Sequence, residues 1–401
     1  MSTPLTPKSS LKAIWQHPDW PNLKIQGLGV QGALLRARKK QGEVIGQANA
    51  IGLQGAQDLI QSRYIQEIIA TSAIEGEKLN LDSVRSSVFR KLGVALANDL
   101  APLDKKVDGL VDILQDALES RGHDLSVEKL FQWHQALFPG KINARSRIKV
   151  GNFRDHEDPM QIISGRQGKE VVHFTAPPSS SVAGEIAVFL DWFNQTRPNR
   201  LADAPSKKLG TQIDGLARAA IAHLWFETIH PFEDGNGRLG RAIVEMAMAQ
   251  DAQSGEKLYS LSEQMMANRS SYYDALNAAQ HGNLDISEWV IWFAHTCELA
   301  CEVSCEVMKK AIDRSHYWAQ YSHVRLNDRQ KKVIHRLLDE GDGGFLGGLN
   351  AEKYMKITAS SKATATRDLS DLLESKMLFS VGQGKALRYY IHVASWTHGL
   401  E

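Results

Sequence analysis

The segment that most constrains the fold is residues 230–241, which reads His-Pro-Phe-Glu-Asp-Gly-Asn-Gly-Arg-Leu-Gly-Arg. Residues 213–228 before it carry apolar side chains at spacings of three and four, which predicts a helix. A second helix that begins near Arg238 would place Arg238 and Arg241 on one face beside its positively polarised N-terminus. The spacing therefore predicts two helices joined by a turn that contains glycine.

The residue types in this turn suit a nucleotide phosphate. His230 could accept a proton, and Asp234 could hold a hard cation through oxygen. The backbone around Gly235 and Gly237 could direct consecutive N–H groups at an anion, and the following helix N-terminus favours negative charge. This chemistry indicates a phosphate-binding site with a base beside it.

Three simpler interpretations fit parts of the same pattern. Residues 235–240 match the dinucleotide pattern G-x-G-x-x-G, but that pattern requires a preceding strand, and the prediction here is a helix. An EF-hand loop that starts at Asp234 is excluded, because Arg238 and Leu239 stand where an oxygen ligand and a glycine are needed. A plain turn between helices, in which His230 and Asp234 only cap, stays open on spacing alone.

The segment occupies every fixed position of the signature H-P-F-x-D-G-N-G-R-x-x-R, with Glu233 at the free one, and so resembles the Fic family. Members are mostly helical and transfer AMP from ATP to a side-chain hydroxyl of a target protein, while a minority move other phosphate-containing groups. The resemblance implies that His230 is the catalytic base and Asp234 the Mg²⁺ ligand. It also implies phosphate contacts by Gly235, Asn236, Gly237, Arg238 and Arg241.

An upstream motif suggests how such a site is controlled. Residues 71–76, Thr-Ser-Ala-Ile-Glu-Gly, resemble the family's inhibitory motif [ST]-x-x-x-E-[GN], and helical spacing over 59–73 predicts a helix leading to it. The resemblance implies that Glu75 reaches Arg241, takes the place of the γ-phosphate of ATP and stalls transfer. The alternative for Glu75 is a surface carboxylate without this role.

The helical pattern is interrupted over residues 147–178, where alternation and turn residues predict a flap. A strand is expected at Val171, Val172 and Phe174, with its tight turn at 165–168. Residues 172–178 resemble the end of the family's flap. That resemblance implies that Val172 and His173 align a target segment by strand addition.

The adenosine end of the site is less conventional. In relatives, an aromatic residue and an amide on a following helix hold the base and the ribose, and Tyr272, Tyr273 and Gln280 occupy the matching stretch. Many relatives have Asn where Gln280 stands, so the base contact differs from theirs. A pair of tyrosines in the core is the alternative.

The predicted fold is mainly α, with a Fic-type helical core, a short β-hairpin flap and a small C-terminal winged helix-turn-helix domain. The predicted domains are an N-terminal helical domain at 1–110 that carries the inhibitory motif, a catalytic core at 111–310 and a winged helix at 321–395. Residues 14–21 resemble the start of an N-terminal domain found in one Fic subgroup.

The winged-helix prediction rests on element order. Helices are expected at 328–338, from about 351 and at 361–374, before a hairpin of 377–381 and 386–391 turned at 382–384. If the winged helix bound DNA, the contacting residues would be Ser361, Lys362, Thr364, Arg367, Lys385 and Arg388. The same third helix carries Asp368, Asp371 and Glu374, which repel phosphate, so protein docking or dimer formation is favoured over DNA binding.

Composition limits which partners and which cellular location we expect. With 47 basic and 46 acidic residues the net charge is +1, so no global field draws the chain to nucleic acid or an anionic membrane. The absence of a long apolar stretch or a signal-like N-terminus leads us to expect a cytoplasmic protein without membrane contact. Cys297, Cys301 and Cys305 lie four apart without zinc-site partners, which favours reduced thiols in the core.

Together these features make an auto-inhibited protein adenylyltransferase the leading hypothesis. It would use ATP and Mg²⁺ to modify a Ser, Thr or Tyr hydroxyl on a target protein or on itself. A hydrolase that removes AMP at the same site is one alternative. A DNA-binding regulator with a nucleotide-sensing core is another. The base preference stays open, since the signature contacts phosphates and not bases. The target and a possible homodimer also stay open.

Overall fold

The computed structural model describes residues 12–93, 102–140, 148–164, 171–198, 213–342, 345, 347–393 and 396. The predicted mainly helical fold with a small hairpin is confirmed. The helices are α1 (Leu28–Ala50), α2 (Gly52–Ile74), α3 (Leu81–Lys91), α4 (Lys105–Glu119), α5 (Val127–Leu137), α6 (Val182–Gln195), α7 (Gly215–Ile229), α8 (Asn236–Ala252), α9 (Leu261–Ala267), α10 (Arg269–Gln280), α11 (Ser287–Gln320), α12 (Asp328–Glu340), α13 (Ala351–Thr358) and α14 (Lys362–Glu374).

The chain divides into two compact units. The first comprises residues 1–46 and 56–304, and the second comprises 47–55 and 305–401. The predicted boundaries at 110 and 310 each fall inside a helix, α4 and α11 respectively. The division into three domains stays a prediction.

Helices α7 and α8 form the centre of the first unit. Every residue of α7 is buried, because its small and large apolar side chains surround the whole helix circumference. Asp214 caps its N-terminus by accepting bonds from the N–H groups of Leu216 and Ala217 at 2.8 and 3.3 Å. Helix α8 begins at Asn236, two residues before the predicted start, because Gly235 at φ 85° makes the left-handed turn that opens it.

The flap is a two-stranded antiparallel hairpin. Strand β1 (Gln161–Ser164) pairs with β2 (Val171–Thr175), with Gln161 opposite Thr175 and an irregularity in register between Ile162 and Ile163. The predicted strand is therefore present. The turn expected at 165–168 lies outside the described residues.

The second unit contains α12, α13 and α14 followed by an antiparallel hairpin of β3 (Leu378–Val381) and β4 (Arg388–Ile391). This order agrees with the expected elements, and the winged-helix assignment itself stays a prediction. Asp368, one of the three acidic residues on the third helix, does not face solvent. It is buried and accepts bonds from Arg329 Nε at 2.8 Å and Tyr354 Oη at 3.0 Å.

The described residues also bear on three further features: disulfides, metal clusters and membrane-spanning helices. Cys297 and Cys301 are buried and Cys305 is half-buried, and none of the three is in a disulfide within the described part of the chain. The described residues include no cluster of three or more His, Cys, Asp or Glu side chains suited to a metal ion. None of the described helices has the length and apolarity needed to cross a bilayer.

Candidate phosphate-binding site

His230 stands at the end of α7 in a left-handed backbone conformation, with φ 51°. A buried guanidinium holds this unusual turn. Arg154 Nε donates to the His230 carbonyl at 2.8 Å, and its Nη2 donates to the carbonyls of Pro177 and Ile229 at 2.6 and 3.2 Å. Arg154 thus joins the base of the flap to the turn. Sequence reasoning missed it, because an isolated arginine in an irregular segment carries no pattern.

The imidazole of His230 is in its basic form. Burial lowers its pKa to about 4, so the ring is neutral at pH 7. Only 16% of the side chain is exposed, and Nδ1 lies 3.8 Å from Glu227 Oε2. Nδ1 has no hydrogen-bond partner among the described residues. A neutral, enclosed imidazole at the mouth of a helix N-terminus is a suitable proton acceptor.

The turn between the helices is closed by its own side chains. Asn236 Nδ2 donates to the Phe232 carbonyl at 2.8 Å, and its Oδ1 accepts from the Phe232 N–H at 2.9 Å. Asn236 is therefore placed to shape the turn. Its predicted phosphate contact stays a prediction. Asp234 is half-exposed, and its Oδ1 accepts from the Gly235 N–H at 2.6 Å.

His134 on α5 bonds to the backbone of the turn between α7 and α8. Its Nδ1 accepts from the Gly151 N–H at 2.9 Å, so Nε2 carries the proton and donates to the Asp234 carbonyl at 3.2 Å. Its ring stacks on Phe232 at 4.2 Å between centroids. Burial lowers the pKa of His134 to about 4, which keeps this tautomer at neutral pH. His134 lies outside the signature, and no sequence pattern indicated it.

The structure brings Arg241 and Glu75 together, as predicted. Arg241 Nη2 donates to Glu75 Oε1 at 2.7 Å and to the Thr71 carbonyl at 2.9 Å, while Nε donates to Thr71 Oγ1 at 2.7 Å. Burial alone would raise the pKa of Glu75, but Arg241 outweighs it and holds that pKa below its usual value. A Cβ on Gly237 would overlap Glu75 Oε1, so a side chain there would displace this carboxylate.

A buried ionic cluster fixes α2 beside α8. Lys257 Nζ lies 2.5 Å from Glu245 Oε1 on α8 and 3.1 Å from Glu67 Oε2 on α2. Glu67 also accepts from Ser260 Oγ at 2.7 Å. Because removing one partner would leave a buried charge uncompensated, the cluster resists displacement of the helix that carries Thr71.

The remaining predicted residues separate into interior and surface positions. Tyr272 is buried, and its hydroxyl lies 2.8 Å from His223 Nε2, so it is a core residue. Tyr273 is 38% exposed and its hydroxyl donates to the Ile74 carbonyl at 3.4 Å. Gln280 is buried. On the flap, Val172 and His173 are exposed.

Glu227 is a buried acid that sequence reasoning also missed. Burial raises its pKa to about 8, so it is mostly protonated at pH 7. A Cβ on Gly240 would lie 2.6 Å from Glu227 Oε1, which shows how closely α8 approaches it. The folded state keeps a proton that the unfolded chain loses near the ordinary pKa of 4.5, so this carboxyl destabilises the fold increasingly between pH 5 and 8.

Glu227→Gln should therefore remove part of the pH dependence of stability. The amide keeps the neutral shape, so we expect little change in the free energy of unfolding at pH 5. At pH 9 we expect a gain on the order of 4 kcal/mol over the wild type, since each pKa unit corresponds to about 1.4 kcal/mol. Urea unfolding at both pH values measures it, with the exposed Glu306→Gln as control. Parallel pH dependence in all three proteins would contradict the buried-acid assignment.

Comparison with known proteins gives two family matches. A model described as Fic/DOC family matches residues 124–248, and one described as Domain of unknown function (DUF4172) matches 14–94. The first includes all of residues 230–241 and the second includes Glu75.

Individual relatives share modest identity. Protein adenylyltransferase fic-1 of Caenorhabditis elegans is 25% identical over 259 residues, which are 64% of this chain and 44% of that protein. Protein adenylyltransferase Fic of Nematostella vectensis is 24% identical over 229 residues, which are 56% of this chain and 45% of that protein. The matched part thus spans less than half the length of these curated relatives. A crystal structure of a Fic family protein from Desulfovibrio desulfuricans G20 has 19% identity and a TM-score of 0.49, over 92% of this chain and 97% of that one.

Proposed function

Because the chain contains a Fic/DOC family domain, we propose that it is a protein adenylyltransferase that moves AMP from ATP to a hydroxyl of a target protein or of itself. The observation that carries the proposal is a neutral, largely enclosed imidazole near two buried arginines of α8. The names of the curated relatives support the same reaction class. Incubation with ATP and Mg²⁺, followed by intact mass spectrometry, tests it through a gain of one AMP.

In the proposed reaction, His230 takes the proton of the target hydroxyl as its oxygen attacks the α-phosphorus. The new bond joins that oxygen to phosphorus, the bond from the α-phosphorus to the bridging oxygen breaks, and pyrophosphate leaves. A pKa near 4 keeps the base unprotonated before attack but makes it weak. Bound phosphates add negative charge nearby, which raises the pKa and strengthens the base when it is needed.

One nitrogen of each buried arginine supports a phosphate ligand. Arg241 Nη1 and Arg238 Nε are buried and have no hydrogen-bond partner among the described residues. Buried donors of this kind are rare unless a ligand or water completes them. The N–H groups that open α8 and the helix dipole add to the attraction for phosphate oxygens. We assign Gly235, Gly237, Arg238 and Arg241 to the triphosphate on this basis.

Asp234 fits Mg²⁺ that arrives with the nucleotide. Mg²⁺ is commonly held by one or two carboxylates together with substrate phosphates, not by an all-protein cage. The half-exposed Asp234 supplies one such oxygen ligand at the mouth of the site. The bound ion would neutralise phosphate charge as the hydroxyl oxygen approaches.

The contact between Glu75 and Arg241 supports auto-inhibition as part of the proposal. The carboxylate holds the guanidinium that would otherwise bind the γ-phosphate. Thr71 binds the same arginine, so the whole end of α2 is docked on the site. We propose that a γ-phosphate excluded from Arg241 leaves the α-phosphate out of line with the attacking oxygen, which slows transfer.

Target binding is proposed at the flap. Val172 and His173 line an open cleft of about 920 Å³ whose other walls include Asn277 and His281 on and after α10. An extended target segment could add to the strand edge there through main-chain hydrogen bonds, which tolerate many sequences. Tyr273 is the accessible aromatic group for adenosine, and Gln280 lies further along the same helix.

The pH profile of transfer should reflect the low pKa of His230. Protonation removes the base, so activity is lost as the pH falls toward about 4 and not near 6.5. We expect kcat/KM of the Glu75→Gly protein to change less than about threefold between pH 5.5 and 7.5. Initial rates at saturating target and varied ATP measure it, with Glu227→Gln as a parallel series to separate the second titrating group. A tenfold rise centred on pH 6.5 would contradict the assignment.

The alternative functions and the location stay predictions. They are removal of AMP by the same site, DNA binding through residues 321–395, a homodimer and a cytoplasmic location. Of the six candidate DNA-contacting residues, Ser361, Lys362, Arg367 and Lys385 are exposed.

A further inference from the structure

A second carboxylate contacts the other arginine of the signature. Glu77 Oε2 lies 3.3 Å from Arg238 Nη1, while Glu75 Oε1 lies 2.7 Å from Arg241 Nη2. We propose that Glu77 limits the affinity of the site for nucleotide by covering Arg238, independently of Glu75. The proposal deepens the proposed function, because it concerns regulation of the same phosphate site.

The end of α2 explains why two carboxylates two residues apart face the same helix. The Glu77 N–H donates to the Ser72 carbonyl at 3.0 Å, and the Gly76 N–H donates to the Ala73 carbonyl at 2.9 Å. Gly76 has φ 78°, so the pair of bonds is a Schellman motif with glycine in the left-handed position. This cap reverses the chain and fixes the backbone at Glu75 and Glu77 together.

Glu77 is held on Arg238 from its other side. Lys106 Nζ on α4 lies 2.8 Å from Glu77 Oε1, so the carboxylate bridges two cations. The Arg238 side chain is only 4% exposed, whereas 31% of Glu77 is exposed. A bridge to a buried guanidinium is screened less than a surface pair, yet the exposed partner is free to rotate outward when a ligand arrives.

The two carboxylates should differ in what they exclude. Because Glu75 on Arg241 takes the place of the γ-phosphate, which ADP lacks, we place the β-phosphate, which ADP and ATP both carry, at Arg238. Glu77 bound at Nη1 occupies a donor that a β-phosphate oxygen needs. Glu77 therefore competes with ADP and ATP for Arg238. AMP has no β-phosphate, so its affinity should not depend on Glu77.

The test is calorimetric titration of wild type and Glu77→Gln with ADP and AMP in Mg²⁺. We expect Glu77→Gln to bind ADP about three- to tenfold more tightly, with AMP affinity unchanged within twofold. The gain should vanish in Glu77→Gln combined with Arg238→Ala, relative to Arg238→Ala alone. Glu306→Gln serves as the exposed carboxylate control.

Three results would overturn the inference. They are unchanged ADP affinity in Glu77→Gln, weaker ADP binding, which would mean that Glu77 orients Arg238 for phosphate, and an equal gain for ADP and AMP. Because binding is measured without turnover, a chain that binds ADP as expected but transfers no AMP would refute the proposed reaction and leave the role of Glu77 standing.

Discussion

Glu75→Gly should raise the rate of AMP transfer about 10- to 100-fold over the wild type. The Glu75 carboxylate accepts a charge-assisted bond from Arg241 Nη2 at 2.7 Å, and such bonds contribute roughly 1.5–3 kcal/mol. Removing the carboxylate frees the Arg241 guanidinium for the γ-phosphate. A bond energy of that size corresponds to a rate increase of about 10- to 100-fold. Arg241 keeps its two bonds to Thr71, so it remains placed at the site.

Intact mass spectrometry during incubation with ATP and Mg²⁺ measures this first effect, with the protein itself and a mixture of cell proteins as acceptors. Glu75→Gln is the matched companion, since the amide keeps the shape but loses the charge, and we expect an intermediate rate. Equal labelling of wild type and Glu75→Gly would refute inhibition by Glu75. A gain of phosphate alone would refute AMP transfer, and loss of AMP from a modified target would support the hydrolase alternative.

His230→Asn in the Glu75→Gly background should lower transfer by about 10²- to 10⁴-fold, the usual contribution of a general base. Asparagine is the substitution of choice because residue 230 has φ 51°, which Asn tolerates better than most residues. Alanine there would add backbone strain to the loss of the imidazole. The amide is not basic, so the proton of the target hydroxyl would have no acceptor.

In His230→Asn we expect the rate of transfer to fall without a matching loss of nucleotide affinity. We expect ATP binding to change less than threefold while kcat falls, because the arginines and the α8 N-terminus are untouched. His316→Ala, at an exposed position of α11, is the histidine control and should leave kcat with self-modification nearly unchanged. Retention of transfer within tenfold of Glu75→Gly would exclude His230 as the base.

The local arrangement of the site was predictable from the sequence. Apolar spacing before residue 230 and glycines after it predict the helix–turn–helix of α7 and α8, and a three-residue spacing places Arg238 and Arg241 on one face. The contact of Glu75 with Arg241 came from the resemblance and not from spacing. It joins residues 166 apart in sequence, which no local pattern reports.

The supports of the turn were not predictable, because they depend on tertiary packing. Arg154 bonds to the carbonyl of a residue 76 positions away, and His134 to one 100 positions away. The raised pKa of Glu227 arises only when α8 covers it. Even adjacent tyrosines differ, since successive helical residues point about 100° apart and leave Tyr272 inside and Tyr273 at the surface.

A crystal structure of Glu75→Gly with a non-hydrolysable ATP analogue and Mg²⁺ tests the central claim most directly. We expect a γ-phosphate oxygen within hydrogen-bond distance of Arg241 at the place of the missing carboxylate, and His230 Nε2 facing the space beside the α-phosphorus. A triphosphate bound elsewhere, or an imidazole turned away from phosphorus while Arg241 stays without phosphate, would contradict it.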